Sequence, residues 1–232
     1  MLLSKQDAPA QPAAAHRLTR NPVLAKLLND RAFEHRDKTY PLGHSSPPKI
    51  CHAYAGLIHQ RRYREVLEIG TLLGFSTLFL AEAVAQTGGR VTTIDLRVEK
   101  RTWFNGEEII NVHEVAERLI EESGYGETVE FLVGDSNQVL CELIRENRTV
   151  DFVLIDGSHQ YPVVLLDFIF CDRLVRPGGM IALDDVGRGH ATKPYCDGGP
   201  NRLLATIFAS DRYRITPLSK NVVVCEKLRD VG

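Results

Sequence analysis

The sequence has no C-x-x-C pair, no apolar run long enough to span a membrane and no excess of basic residues. Each absence removes a class of protein. The cysteines Cys51, Cys141, Cys171, Cys196 and Cys225 are odd in number and widely scattered. They exclude a C-x-x-C zinc site and a disulfide framework, and predict reduced thiols, several of them serving as small core residues. With 28 Lys and Arg against 30 Asp and Glu the formal net charge is −2. No basic stripe with interleaved aromatics is present, so nucleic acid is not an expected partner. Asp7, Pro9 and Pro12 break the N-terminus before it can form the apolar core of a signal peptide. The expectation is therefore a cytoplasmic protein without a membrane partner. The dinucleotide fingerprint G-x-G-x-x-G is also missing, which disfavours a nicotinamide-dependent oxidoreductase.

What is present is the composition of an ordinary globular chain, 44% hydrophobic and 25% charged over 232 residues, long enough for one sizeable domain with additions. Residues 1–16, rich in Ala, Pro and Gln, are expected to be a flexible tail. Residues 17–60 read as a helical N-terminal extension. Its first helix is predicted over 18–33, with Pro22 in the first turn and Val23, Leu24, Leu27 and Leu28 on one side. A polar connection over 37–49 contains His44, Ser45, Ser46 and Pro47-Pro48, and a second helix is predicted over 50–59. The main domain is then 61–232.

That domain begins with the stretch on which the rest depends. Residues 66–69 are a short apolar run of the kind that forms a buried parallel strand. Gly70 and Gly74 follow, and Ser76 opens the helical pattern of Leu78, Phe79, Ala81 and Val84. Strand, glycine-bearing turn and helix N-terminus form the first unit of a nucleotide-binding α/β fold, where backbone N–H groups come close to a ligand. The pattern is Glu68-x-Gly70-x-x-x-Gly74-x-Ser76, with Thr71 inside the turn.

This pattern resembles the first motif of the class I S-adenosylmethionine-dependent methyltransferases. The resemblance implies an α/β fold with a Rossmann-like seven-stranded sheet, helices on both faces and the last strand antiparallel. It also implies S-adenosylmethionine as cofactor, with Glu68, Gly70, Thr71, Gly74 and Ser76 among the residues that bind it. In many such enzymes helices ahead of the first strand cover the site, so 17–60 is expected either as a lid or as simple packing on the sheet edge.

The later strands extend the pattern. Residues 91–94 form a β-branched strand ending at Asp95, a carboxylate placed to accept two hydrogen bonds from a ribose diol, or a plain turn residue. Residues 97–111 are predicted as an inserted loop, with a helical pattern resuming near Glu107. The only tryptophan, Trp103, either stacks on a ligand or caps the local core. A helix over 112–122 precedes a third strand over 128–133, which ends in Gly134-Asp135-Ser136. The family resemblance assigns these three residues to the cofactor, with Asp135 receiving the adenine amino group. A helix N-cap at Asp135 or Ser136 is the local alternative.

The fourth strand, 150–155, ends in Asp156-Gly157-Ser158-His159-Gln160-Tyr161, and the fifth, 180–183, runs into Asp184-Asp185 after Arg176-Pro177-Gly178-Gly179 breaks the intervening helix. Neighbouring parallel strands deliver these carboxylates to one C-terminal edge, where open α/β sheets bind ligands. A hard divalent cation such as Mg²⁺, Mn²⁺ or Ca²⁺ relieves their repulsion; the alternative is a set of helix caps and turn residues.

The run Ile155-Asp156-Gly157-Ser158-His159-x-Tyr161, then Pro177-Gly178-Gly179, then Asp184-Asp185, looks like the metal-dependent small-molecule O-methyltransferases. Within them it is most similar to the branch of macrolide-sugar O-methyltransferases and cephalosporin-hydroxylase-like proteins. The resemblance implies Mg²⁺ bound by Asp156, Asp184 and Asp185, and a small hydroxylated acceptor, a sugar or secondary metabolite. Catechol-type relatives carry a base Lys where this chain has His159. His159 and Asp156 are accordingly the expected catalytic residues, although a helix-terminal His bonded to a carboxylate is the bland reading of His159. Asp156 also counts among the cofactor-binding residues, and His190 and Tyr161 are expected at the substrate. The resemblance further implies a homo-oligomer. A metal-independent N- or O-methyltransferase and a non-catalytic cofactor-fold protein are the rival readings. The joint presence of Gly70, Gly74, Asp95 and Asp135 speaks against the second. A closing hairpin is predicted from 213–216 and 222–225.

Overall fold

Asn21 starts the described chain's first helix. Its side chain accepts hydrogen bonds from the N–H groups of Val23 and Leu24, and Pro22 takes the first helical position. The computed structural model describes residues 19–43, 46–103, 105–187, 198–208 and 210–230. The expected flexible tail and His190 lie outside them.

Helix α1 (Pro22–Asp30) ends where Arg31 turns left-handed, so the helix predicted over 18–33 is shorter at both ends. Phe33 belongs instead to strand β1 (Ala32–His35), paired with β2 (Lys38–Pro41) in a hairpin. Arg36 and Asp37 form its two-residue turn, both at positive φ, 48° and 60°. That is the geometry of a primed hairpin turn, usually built with Asn or Gly. With Arg-Asp there, the segment reads as a polar connection, and the strand in it goes unseen.

Helix α2 (Pro48–Arg61) follows, then β3 (Glu65–Ile69), α3 (Phe75–Ala85) and β4 (Arg90–Asp95). The segment predicted as a loop contains a second hairpin, β5 (Lys100–Thr102) with β6 (Glu108–Ile110). Glu108 is thus in a strand, and helix α4 (His113–Glu122) begins only after Asn111 has turned left-handed at φ 51°. Trp103 caps the local core. It is buried, its indole N–H donates to the Pro41 carbonyl at 2.9 Å, and its ring meets Phe33 edge-on at 5.8 Å. His35 Nε2 lies 2.7 Å from the Ile110 carbonyl, so the two hairpins brace one another.

The remaining elements are β7 (Val129–Val133), α5 (Ser136–Arg145), β8 (Val150–Ile155), α6 (Tyr161–Leu174), β9 (Val175–Leu183), α7 (Gly199–Ile207), β10 (Tyr213–Pro217) and β11 (Val223–Lys227). Strand β9 is longer than predicted: the Arg-Pro-Gly-Gly segment is its irregular first half, with a register shift against β8. A Cβ on Gly179 would stand 2.7 Å from the Asp151 carbonyl, so only glycine lets the backbone lie that close.

The seven-stranded sheet has the order β10-β11-β9-β8-β3-β4-β7. Strands β7, β4, β3, β8 and β9 are parallel, and the last strand, β11, is antiparallel to both neighbours. This is the expected Rossmann-like arrangement. Side chains alternate along each strand. On β8, Phe152 and Leu154 join the core formed with α1 to α4, while Val153 and Ile155 join the core formed with α5 to α7. Helices thus cover both faces. Among the described residues no helix is long and apolar enough to cross a membrane.

Candidate active site

The glycine turn after β3 is held from three sides. Gly70, at φ 100°, donates its N–H to the Ile94 carbonyl at 2.9 Å. A Cβ there would lie 2.5 Å from the carbonyl oxygen of Asp156. The first glycine therefore lets the turn press against the end of β8, coupling the two halves of the site. Gly74, also left-handed, begins α3 against Ala116 of α4. Asp95, at the tip of β4, accepts the N–H groups of Thr71 and Leu72 at 3.0 and 2.9 Å. The Asp95 carboxylate so braces the turn while lining a cleft with Thr71, Leu72, His113, Phe131 and Val133.

Glu68 lies beneath this turn with 0% of its surface exposed. One carboxylate oxygen accepts the hydroxyls of Thr77 at 2.5 Å and Thr93 at 2.7 Å. Burial pushes its pKa up to about 7, against the partial opposition of the Ser76, Thr77 and Thr93 hydroxyls. Thr71 shares its hydroxyl with Thr93 at 2.6 Å. Glu68, Thr71 and Ser76 thus sit in or under the turn, joining β3, α3 and β4.

At the end of β7, Gly134 donates its N–H to the Asp95 carbonyl at 3.1 Å. Asp135 is the N-cap of α5, accepting from the Asn137 N–H at 3.0 Å, and is exposed. Ser136 is turned to α6: its hydroxyl donates to Asp167 at 2.6 Å. Asp167 is buried, and that burial lifts its pKa to about 6.

The second half of the site stands on β8 and β9. The N–H of Asp156 bonds the Ile69 carbonyl and that of Asp184 the Ile155 carbonyl, so each carboxylate is seated by the neighbouring strand. Asp184, 8% exposed, accepts the N–H of Asp185 at 2.6 Å. Asp185, left-handed at φ 57°, lies 2.7 Å from His159 Nε2. The ligand atoms of Asp156, His159 and Asp185 fall within 4.8 Å of one another. Burial raises the Asp156 pKa well above the carboxylate range, and repulsion from Asp184 and Asp185 adds to it. Asp156 and Asp185 offer carboxylate oxygens of the kind a hard divalent cation such as Mg²⁺ takes, with Asp184 beside them, and His159 adds an imidazole nitrogen to the cluster.

Ser46, just before α2, was not among the predicted site residues. Its hydroxyl lies 3.0 Å from Asp156 and 3.4 Å from Asp184. In the sequence it is one polar residue of a proline-containing connection, and no spacing rule marks it. Tyr161 opens α6 and meets α7: the Arg202 guanidinium lies 4.1 Å over its ring and its hydroxyl is 3.3 Å from Thr206.

Comparison with known proteins bears on this geometry. Residues 67–186 match the family model described as a methyltransferase domain, which reaches from β3 to just past Asp185. The chain belongs to that family. It is 35% identical over 135 residues to a catechol O-methyltransferase of Mycobacterium tuberculosis, covering 58% of this chain and 52% of that protein. The chain thus spans about half the length of that curated relative. Among solved structures, an O-methyltransferase from Bacillus cereus in complex with SAH superposes with a TM-score of 0.66 at 23% identity, covering 91% of this chain and 93% of the other. An O-methyltransferase from Streptomyces achromogenes involved in tomaymycin synthesis, in complex with SAM, gives 0.67 at 22% identity, with 92% of each chain covered. At these identities the two structures establish the fold.

Proposed function

We propose that this chain is an S-adenosylmethionine-dependent O-methyltransferase acting on a hydroxyl of a small molecule, a sugar or secondary metabolite, in the cytoplasm as a homo-oligomer. One observation carries the reading: the glycine turn of β3 and the Asp156–His159–Asp185 cluster meet at one sheet edge, with Gly70 packed against the Asp156 backbone. The turn would hold the cofactor beside the cluster, and the cofactor when bound would supply the methyl group there. The cleft beside Asp95 would take the nucleoside, with Asp135 toward the adenine.

His159 takes the proton of the acceptor hydroxyl, and Asp185, hydrogen-bonded to its Nε2, holds the ring and stabilises the imidazolium that forms. Asp156, Asp184 and Asp185 would hold Mg²⁺, which when bound lowers the pKa of a hydroxyl beside it. Positioning of acceptor and methyl donor supplies the rest of the acceleration. The His159–Asp185 hydrogen bond also favours a second reading, the same transfer without a metal. Turnover that survives EDTA would select it.

Calorimetric titration with S-adenosylhomocysteine tests the reading. Binding that weakens on Gly70→Ala supports it, and absence of nucleoside binding with or without Mg²⁺ overturns it in favour of a non-catalytic member of the fold.

A further inference from the structure

Helix α2 carries a buried hydroxyl that bonds nothing among the described residues. The Tyr54 oxygen is shielded from solvent and has no hydrogen-bond partner among the described residues, and the residue as a whole is 0% exposed. A buried donor without an acceptor is costly, and native structures rarely retain one without a reason.

The surroundings of Tyr54 indicate what the acceptor is. Its ring lies 6.0 Å from that of Phe152 on β8. Tyr54 shares one core with Phe152 and Leu154 of β8 and with Met180 and Ala182 of β9. Side chains alternate along a strand, so Asp156 and Asp184, the next residues of the same parity, emerge on this same face of the sheet. One turn before Tyr54, the Cys51 thiol contacts the Ser46 carbonyl at 3.7 Å, and the Ser46 hydroxyl bridges Asp156 and Asp184. The face of α2 bearing Cys51 and Tyr54 therefore runs under the carboxylates. A tyrosine phenol is a proton donor, and the carboxylates on this side of the sheet, Asp156 and Asp184, are acceptors.

We infer that Tyr54 is a positioning residue of the cation site, its hydroxyl donating to the Asp184 carboxylate once that group turns to a bound cation. This rests on the cation-assisted reading above. Ligating carboxylates are commonly held by such outer hydrogen bonds, whose loss weakens metal binding without removing a ligand.

Tyr54→Phe tests it, with Mn²⁺ as the probe. Calorimetry and the electron paramagnetic resonance signal of free Mn²⁺ should show binding weakened by about 10- to 100-fold. The metal-free variant should melt at the wild-type temperature or above, because among the described residues the hydroxyl has no bond to lose. In an Asp184→Asn background the same change should add little. Unchanged Mn²⁺ affinity overturns the inference, and so does a metal-free variant that melts lower, which would mark an ordinary structural hydroxyl. A wild-type protein that binds S-adenosylhomocysteine but no Mn²⁺ removes this inference and the cation together, leaving methyl transfer in place.

Discussion

The hydroxyl of Ser46 lies 3.0 Å from the carboxylate of Asp156, although 110 residues separate them in the chain. It also reaches Asp184 at 3.4 Å. A segment ahead of the main domain thereby enters the site at its most crowded carboxylates, and its hydrogen bond opposes the upward shift that burial and repulsion impose on Asp156. Ser46→Ala should leave the fold intact and lower kcat/KM about 10-fold, the effect of losing one hydrogen bond to a charged group. Steady-state kinetics at saturating cofactor would show it, and unchanged kinetics would reduce Ser46 to a bystander.

His159 and Asp185 should behave as a pair. His159→Gln is expected to lower kcat by about 100-fold or more, the usual worth of a positioned base, with S-adenosylhomocysteine affinity unchanged. Asp185→Asn should lose much of the same factor, and the double variant little more than either single one. Additive losses would show that the 2.7 Å contact between them is not functional.

Gly70→Ala places a Cβ 2.5 Å from the Asp156 carbonyl oxygen at a φ of 100°. Both the clash and the backbone strain oppose it, and a destabilisation of about 2–4 kcal/mol is expected. Urea unfolding measures this directly. A variant as stable as wild type would mean that the turn does not press on β8 as described.

Glu68 ties stability to pH. Its folded pKa of about 7 stands above its ordinary value of 4.5. The folded protein therefore holds a proton that the unfolded chain releases, and stability falls as pH rises from about 4.5 through about 7. The stability contribution is fully present below that window and lost above it, on the order of 3 kcal/mol in all. Glu68→Gln, which keeps shape without charge, should flatten the slope between pH 5 and pH 7.5. Chemical denaturation at those two pH values decides the matter, and equal slopes in both proteins would rule out Glu68 as its source.

The parallel strands were legible because buried strands are short, apolar and followed by glycine or aspartate. The fourth strand, 150–155, is observed as Val150–Ile155, and Asp95, Asp156 and Asp184 stand at the strand ends where their order along the chain puts them. The two hairpins were not legible. Arg36-Asp37 gives no sign of a left-handed turn, and Lys100–Thr102 has three exposed residues with no alternation to read. Trp103 decided between its two readings only when Phe33 and Pro41, from the first hairpin, closed over it.

The sequence by itself determined the succession of the main sheet's strands and the helices between them, the glycine turn after the first strand of the sheet, and which carboxylates face a common edge. Those follow from periodicity and local backbone chemistry, which act over a few residues. Only the tertiary structure decided which partner each polar group takes. Ser136 bonds Asp167, Tyr161 packs under Arg202, Asp185 meets His159, and Ser46 reaches Asp156. Except for Asp185 and His159, which follow the neighbouring strands β9 and β8, these partners come from elements that local pattern does not relate. A hydrogen bond forms with whatever group lies within about 3 Å, and that proximity is set by packing across the whole domain.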